Sequence, residues 1–101
     1  MVEMNSTQLA RLHATVEGRV QGVGFRAFVE QSAEALEIKG WVRNRWDGSV
    51  EVTAEGVLSK LNQLLNALYR GPRGSYVTGV NTEWQSASGE FKSFQVRMTS
   101  G

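Results

Sequence analysis

Where the apolar residues of this chain recur every second position, and where they recur every third or fourth, decides its architecture. Leu12, Ala14 and Val16 alternate with His13, Thr15 and Glu17 in ARLHATVEG, the pattern of a half-buried strand that Gly18 ends. From Phe25 the period changes: Phe28, Val29, Ser32, Ala33 and Leu36 fall on one face of a helix of about three turns through FRAFVEQSAEALE. IKGWVRN and SVEVTAE alternate again, and Asp47-Gly48 between them reads as a hairpin turn, because both residues tolerate positive φ. VLSKLNQLLNALYR then sets Val57, Leu58, Leu61, Leu64, Leu65 and Leu68 along a second helical stripe, which stops at Gly71-Pro72. SYVTGVNTEW alternates imperfectly around Gly79, as a bulged or edge strand does, and FKSFQVRM places Phe94, Val96 and Met98 on one face.

The order is β-α-β-β-α-β with one extra short strand before the last, the split βαβ arrangement of an α+β, ferredoxin-like sandwich. Two helices are expected to pack on one face of a four- to five-stranded, mainly antiparallel sheet. At 101 residues, 41% of them hydrophobic, the chain suits a single domain, expected over residues 10–101, with the polar, aperiodic residues 1–9 as a flexible tail.

Composition removes several classes of function. There is no cysteine and only one histidine, which excludes disulfides, a thiolate nucleophile and thiolate or histidine-rich metal sites; no metal and no cofactor is expected. Eleven basic and ten acidic residues leave a net charge of +1, so nothing favours broad binding to nucleic acid or membrane. No signal-like or membrane-spanning apolar run is present, which makes a cytoplasmic location the default expectation. Without heptads or a long apolar edge, a monomer is expected.

Local chemistry gathers in GRVQGVGFR, residues 18–26. Glycines at 18, 22 and 24 match neither the P-loop nor the dinucleotide-binding spacing, and their plain reading is a strand-to-helix turn. Arg26 argues for more. A helix N-terminus is positive, so a cation there is disfavoured by roughly 0.3–1 kcal/mol unless an anion joins it. Turn amides, helix end and guanidinium together suit phosphate oxygens. Arg19 is weaker evidence, a solvated loop cation on its plain reading. In the expected topology strands one and two run parallel, so this loop and Asn44, at the end of GWVRN, share one edge of the sheet. Asn44 is by itself a turn former; beside a phosphate its amide can hold a water by donating and accepting, without the repulsion a carboxylate would add. Asp47 reads as a turn residue and His13 as an exposed strand histidine. Trp41, Trp46 and Trp84 read as packing residues, since no RNA-recognition signature accompanies them.

GRVQGVGFR followed by GWVRNRWDGSV resembles the acylphosphatase family over about residues 10–98. The resemblance implies a phosphate cradle from the backbone amides of Val20, Gln21, Gly22, Val23, Gly24 and Phe25. It further implies that Arg26 binds the phosphate, that Asn44 orients the attacking water, and that a small acyl phosphate is hydrolysed without metal. Trp46 occupies a turn position that the family leaves variable. Two other readings stand beside it: a domain like that at the amino end of hydrogenase-maturation carbamoyltransferases, and a non-catalytic module that binds phosphate or a phosphorylated metabolite.

Overall fold

The computed structural model describes residues 7–101. Most of the expected tail, residues 1–6, lies outside the described residues. Seven elements follow in order: β1 (Leu9–Arg19), α1 (Phe25–Ala35), β2 (Lys39–Asn44), β3 (Val50–Val57), α2 (Leu58–Arg70), β4 (Tyr76–Gln85) and β5 (Phe94–Val96). The strands form one five-stranded sheet in the order β4-β1-β3-β2-β5.

Alternation drives the layering. Leu12, Ala14 and Val16 of β1 pair with Ala54, Val52 and Val50 of β3, and Val52 pairs onward with Val42 of β2, giving continuous apolar rows on one face. Phe25, Val29 and Ala33 of α1 and Leu61, Leu64 and Leu68 of α2 close over these rows, and all are buried. Both helices therefore cover the same face of the sheet, as the split βαβ order leads one to expect.

Gly79 marks an edge and a bulge at once. β4 is an outer strand, and its register against β1 steps from Glu17↔Gly79 to Gly18↔Val77, leaving Thr78 as the extra residue.

The end of the chain departs from expectation. The additional short strand does not precede the last strand; it is the last one. β4 takes the outer position beside β1, while β5 runs parallel to β2 at the opposite edge, which makes the sheet mixed. FKSFQVRM yields only three strand residues, and of its supposed apolar face Phe94 alone is buried, Val96 and Met98 being exposed. The physical reason is that Val96 borders an open cavity beside α1 and Met98 lies beyond the strand, so among the described residues only Phe94 reaches the packed core. Hydrogen bonds from Arg97 N–H to Val42 C=O and from Ser100 N–H to Asn44 C=O carry the final residues along β2 instead.

On the face opposite the helices, His13 meets Glu51 at 2.7 Å, and Arg43 shares that carboxylate. Two guanidinium groups lie over the Trp41 ring, that of Arg43 at 5.1 Å and that of Arg97 at 4.8 Å from its centre. The outward positions of central strand β3 hold Glu51, Thr53 and Glu55 rather than the stacking aromatics of an RNA-recognition sheet.

Candidate active site

β1 and β2 are both antiparallel to β3, so they point the same way with β3 between them, and both end on the same side of the sheet. Asn44 stands two residues after Val42 and so projects toward the helix-covered face, where β2 has run out of apolar residues. α1 starts at the same end, since the loop after β1 must climb onto that face before the chain can return to β2. Val20 and Phe25, buried in the core, fasten the two ends of the intervening loop.

Between those anchors, Gly22 and Gly24 both adopt φ 75°, a left-handed conformation that any side chain would strain. A Cβ at either position would meet nothing within 4 Å, so the demand is torsional and the space above the glycines is open. Gly24 caps α1, and its carbonyl accepts the N–H of Phe28 at 3.0 Å. No side chain caps the helix and its first turn holds no acid, so the leading amides are left for an outside acceptor. Among the described residues, the amides of Gly22, Val23 and Gly24 donate to no backbone carbonyl.

One cavity of about 300 Å³ gathers Val20, Gly22, Gly24, Phe25 and Arg26 with Asn44, together with Ala27, Glu30 and Val96. Arg26 is in the first turn of α1 and forms no ion pair among the described residues; the Asn44 amide likewise makes no side-chain hydrogen bond there. Two residues of the expected cradle are outside the cavity lining. Val23 packs half-buried against the core. Gln21 donates through Nε2 to the carbonyls of Arg45, at 2.8 Å, and Ser49, at 2.9 Å, tying the loop to the β2–β3 turn. Nothing in the local sequence pattern signals that tie, because its acceptors are backbone atoms 24 and 28 residues away.

The turn is set by Asp47, whose carboxylate accepts the N–H and hydroxyl of Ser49 and is held below its ordinary range by those bonds. Arg19 and Trp46 are exposed and do not line the cavity. Glu30 and Val96 are lining residues that sequence reasoning passed over. Glu30 was legible in principle, lying one helical turn beyond Arg26, whereas Val96 depends on where β5 docks.

Two larger cavities exist, of about 530 and 640 Å³, but their chemistry is poorer. The first contains Glu55, whose carboxylate is already engaged, with Lys39 and Glu37; the second, beside Trp84, has no charged residue. Among the described residues no group of three or more His, Asp or Glu could hold a metal ion, and no helix is long and apolar enough to cross a membrane.

A small α+β domain that opens a helix-capping glycine loop, an arginine and a neutral amide into one cavity is suited to hold a phosphate-like anion. The acylphosphatase family model matches residues 12–96. The chain is 46% identical over 87 residues to an acylphosphatase of Salinibacter ruber, covering 86% of this chain and 92% of that one. Its structure is similar to that of an acylphosphatase from Bacillus subtilis, with a TM-score of 0.85 and 36% identity over 87% of this chain and 98% of that chain. HypF from T. kodakarensis is similar at a TM-score of 0.74 and 28% identity, over 85% of this chain but 11% of that chain. This chain belongs to the acylphosphatase family of hydrolases.

Proposed function

We propose that the chain hydrolyses small acyl phosphates to a carboxylate and inorganic phosphate, and that Arg26, Asn44 and the amides of residues 20–25 carry the reaction. The observation that supports this most is the meeting of Arg26, the glycine loop and Asn44 in one cavity, although 18 residues separate Arg26 from Asn44.

Phosphoryl transfer asks mainly for positioning and charge stabilisation. The loop amides and the Arg26 guanidinium hold the non-bridging oxygens and offset the charge that builds on them. Asn44 holds a water opposite the leaving group through its amide. The water oxygen forms the new bond to phosphorus, the bond from phosphorus to the bridging acyl oxygen breaks, and the electron pair leaves with the carboxylate. Because the parent acid of that leaving group has a pKa of roughly 4, no general acid is required. An amide cannot take a proton at neutral pH, so a phosphoryl oxygen of the substrate accepts the water's proton. The scheme invokes no metal.

The test is phosphate release from benzoyl phosphate in the presence of EDTA, with a simple phosphate ester as control. Wild type should turn over the acyl phosphate and leave the ester intact. Arg26→Ala and Asn44→Ala should each lose roughly 100-fold or more in kcat while remaining folded. Stabilisation of wild type by inorganic phosphate without turnover would replace this reading with that of a phosphate-binding module. Full activity in Asn44→Asp would remove the water-orienting role.

A further inference from the structure

The cavity contains a second charge for which the proposed hydrolysis has no use. Glu30 lies four residues after Arg26 on α1 and lines the same cavity. Four residues rise about 6 Å along a helix, so its position on α1 is one turn further from the glycine loop than that of the arginine. The plain account of such spacing is a surface ion pair, but arginine preceding glutamate is the weaker order for that pairing. Among the described residues Glu30 has no ion-pair partner at all. Arg26 remains available to an anion, and Glu30 remains an acidic side chain without an ion-pair partner among the described residues, in the same small cavity.

If the loop and Arg26 take the phosphoryl group, the acyl group must leave the loop across the rest of the lining. That wall consists of Ala27, Glu30 and Val96, two apolar residues and one acidic residue. An uncharged acyl group crosses it against two apolar surfaces. One bearing a second anion is brought toward the Glu30 carboxylate while its phosphoryl end is held in place. We propose that Glu30 is a charge filter, so that the site favours acyl phosphates with an uncharged acyl group over those carrying a further anionic group. This specifies the substrate class and rests on the acyl-phosphate reading of the cavity. Two unit charges about 6 Å apart in a partly solvated site repel enough, after screening by salt, for roughly a tenfold discrimination.

The experiment compares kcat/KM for benzoyl phosphate, its 4-carboxylate derivative and its 4-trimethylammonium derivative in wild type and Glu30→Gln. Substituent effects on the leaving group cancel between the two proteins. The expected result in Glu30→Gln is a several-fold rise for the carboxylate derivative relative to benzoyl phosphate and a fall for the ammonium derivative. Glu34→Gln, an equal charge change at an exposed position outside the cavity, should move neither ratio. In wild type the discrimination should shrink as salt is raised toward about 1 M, a measurement that needs no variant. Ratios within twofold of wild type in Glu30→Gln, or shifts of the same sign for both derivatives, would overturn the filter and leave acyl-phosphate hydrolysis standing. Absence of turnover of all three compounds by wild type would instead overturn the hydrolytic reading, and the filter with it.

Discussion

Replacing Glu55 with glutamine should remove about 3 kcal/mol of stability at neutral pH, and the loss should disappear in acid. Glu55 stands on the face of β3 opposite the helices, covered there by the Ser88–Gly89 segment, with only 7% of its side chain exposed. Burial pushes its pKa up, but this is outweighed by the N–H of Ser88 at 2.8 Å, Arg11 Nε at 2.7 Å, the N–H of Gly89 at 2.9 Å and the Ser88 hydroxyl at 2.9 Å. The result is a carboxyl lowered from 4.5 to about 2. A shift of that size corresponds to about 3 kcal/mol of preference for the folded, ionised form. Because the folded pKa lies below the unfolded one, this stability is fully present above about pH 4.5 and is lost as pH falls through about 2. Glutamine keeps the shape but turns an N–H toward amides that need acceptors, and it leaves Arg11 without its closest anion. The assay is urea unfolding of wild type and Glu55→Gln from pH 7 down to pH 2, monitored by tryptophan fluorescence. Other carboxylates titrate alike in both proteins, so the difference between them isolates Glu55. A difference below about 0.5 kcal/mol at pH 7, or one that stays constant down to pH 2, would refute the reasoning.

Two further perturbations probe the frame and the loop. Leu64→Ala, at a fully buried position where α2 meets the sheet, should cost roughly 2–5 kcal/mol in denaturant unfolding, since few neighbours can collapse into the space left. Gln21→Ala should lower stability by about 1 kcal/mol and reduce kcat/KM for benzoyl phosphate, because the loop loses its two bonds to the β2–β3 turn; unchanged kinetics would show that Val20 and Phe25 hold the loop without that tie.

How legible each feature was depends on how far its cause reaches along the chain. Both helices could be read from their apolar stripes, and α1 and α2 begin within a residue of the expected Phe25 and Val57 starts, because amphipathic period is local. Gly22 and Gly24 were readable as loop formers since their positive φ is a property of two residues. The last strand is not legible in the sequence, because alternation in FKSFQVRM says nothing about which edge the segment docks on, nor whether anything covers it. Glu55 gave no signal either: it looks like an ordinary outward strand acid, and its partners Arg11, Ser88 and Gly89 are 33 to 44 residues away.

Periodicity, turn chemistry and the helix-end arginine are determined within windows of a few residues, so the sequence alone carries the order of helices and strands and singles out the two segments, residues 18–26 and the end of β2, that the proposed site draws on. Their assembly was decided only in three dimensions. Pairing β1 and β2 to opposite sides of β3 brings Arg26 and Asn44 into one cavity, with Glu30 of α1 in its wall, and the docking of β5 on β2 adds Val96. The physical reason is that strand pairing and helix packing are selected by the free energy of the whole core, which no short stretch of sequence contains.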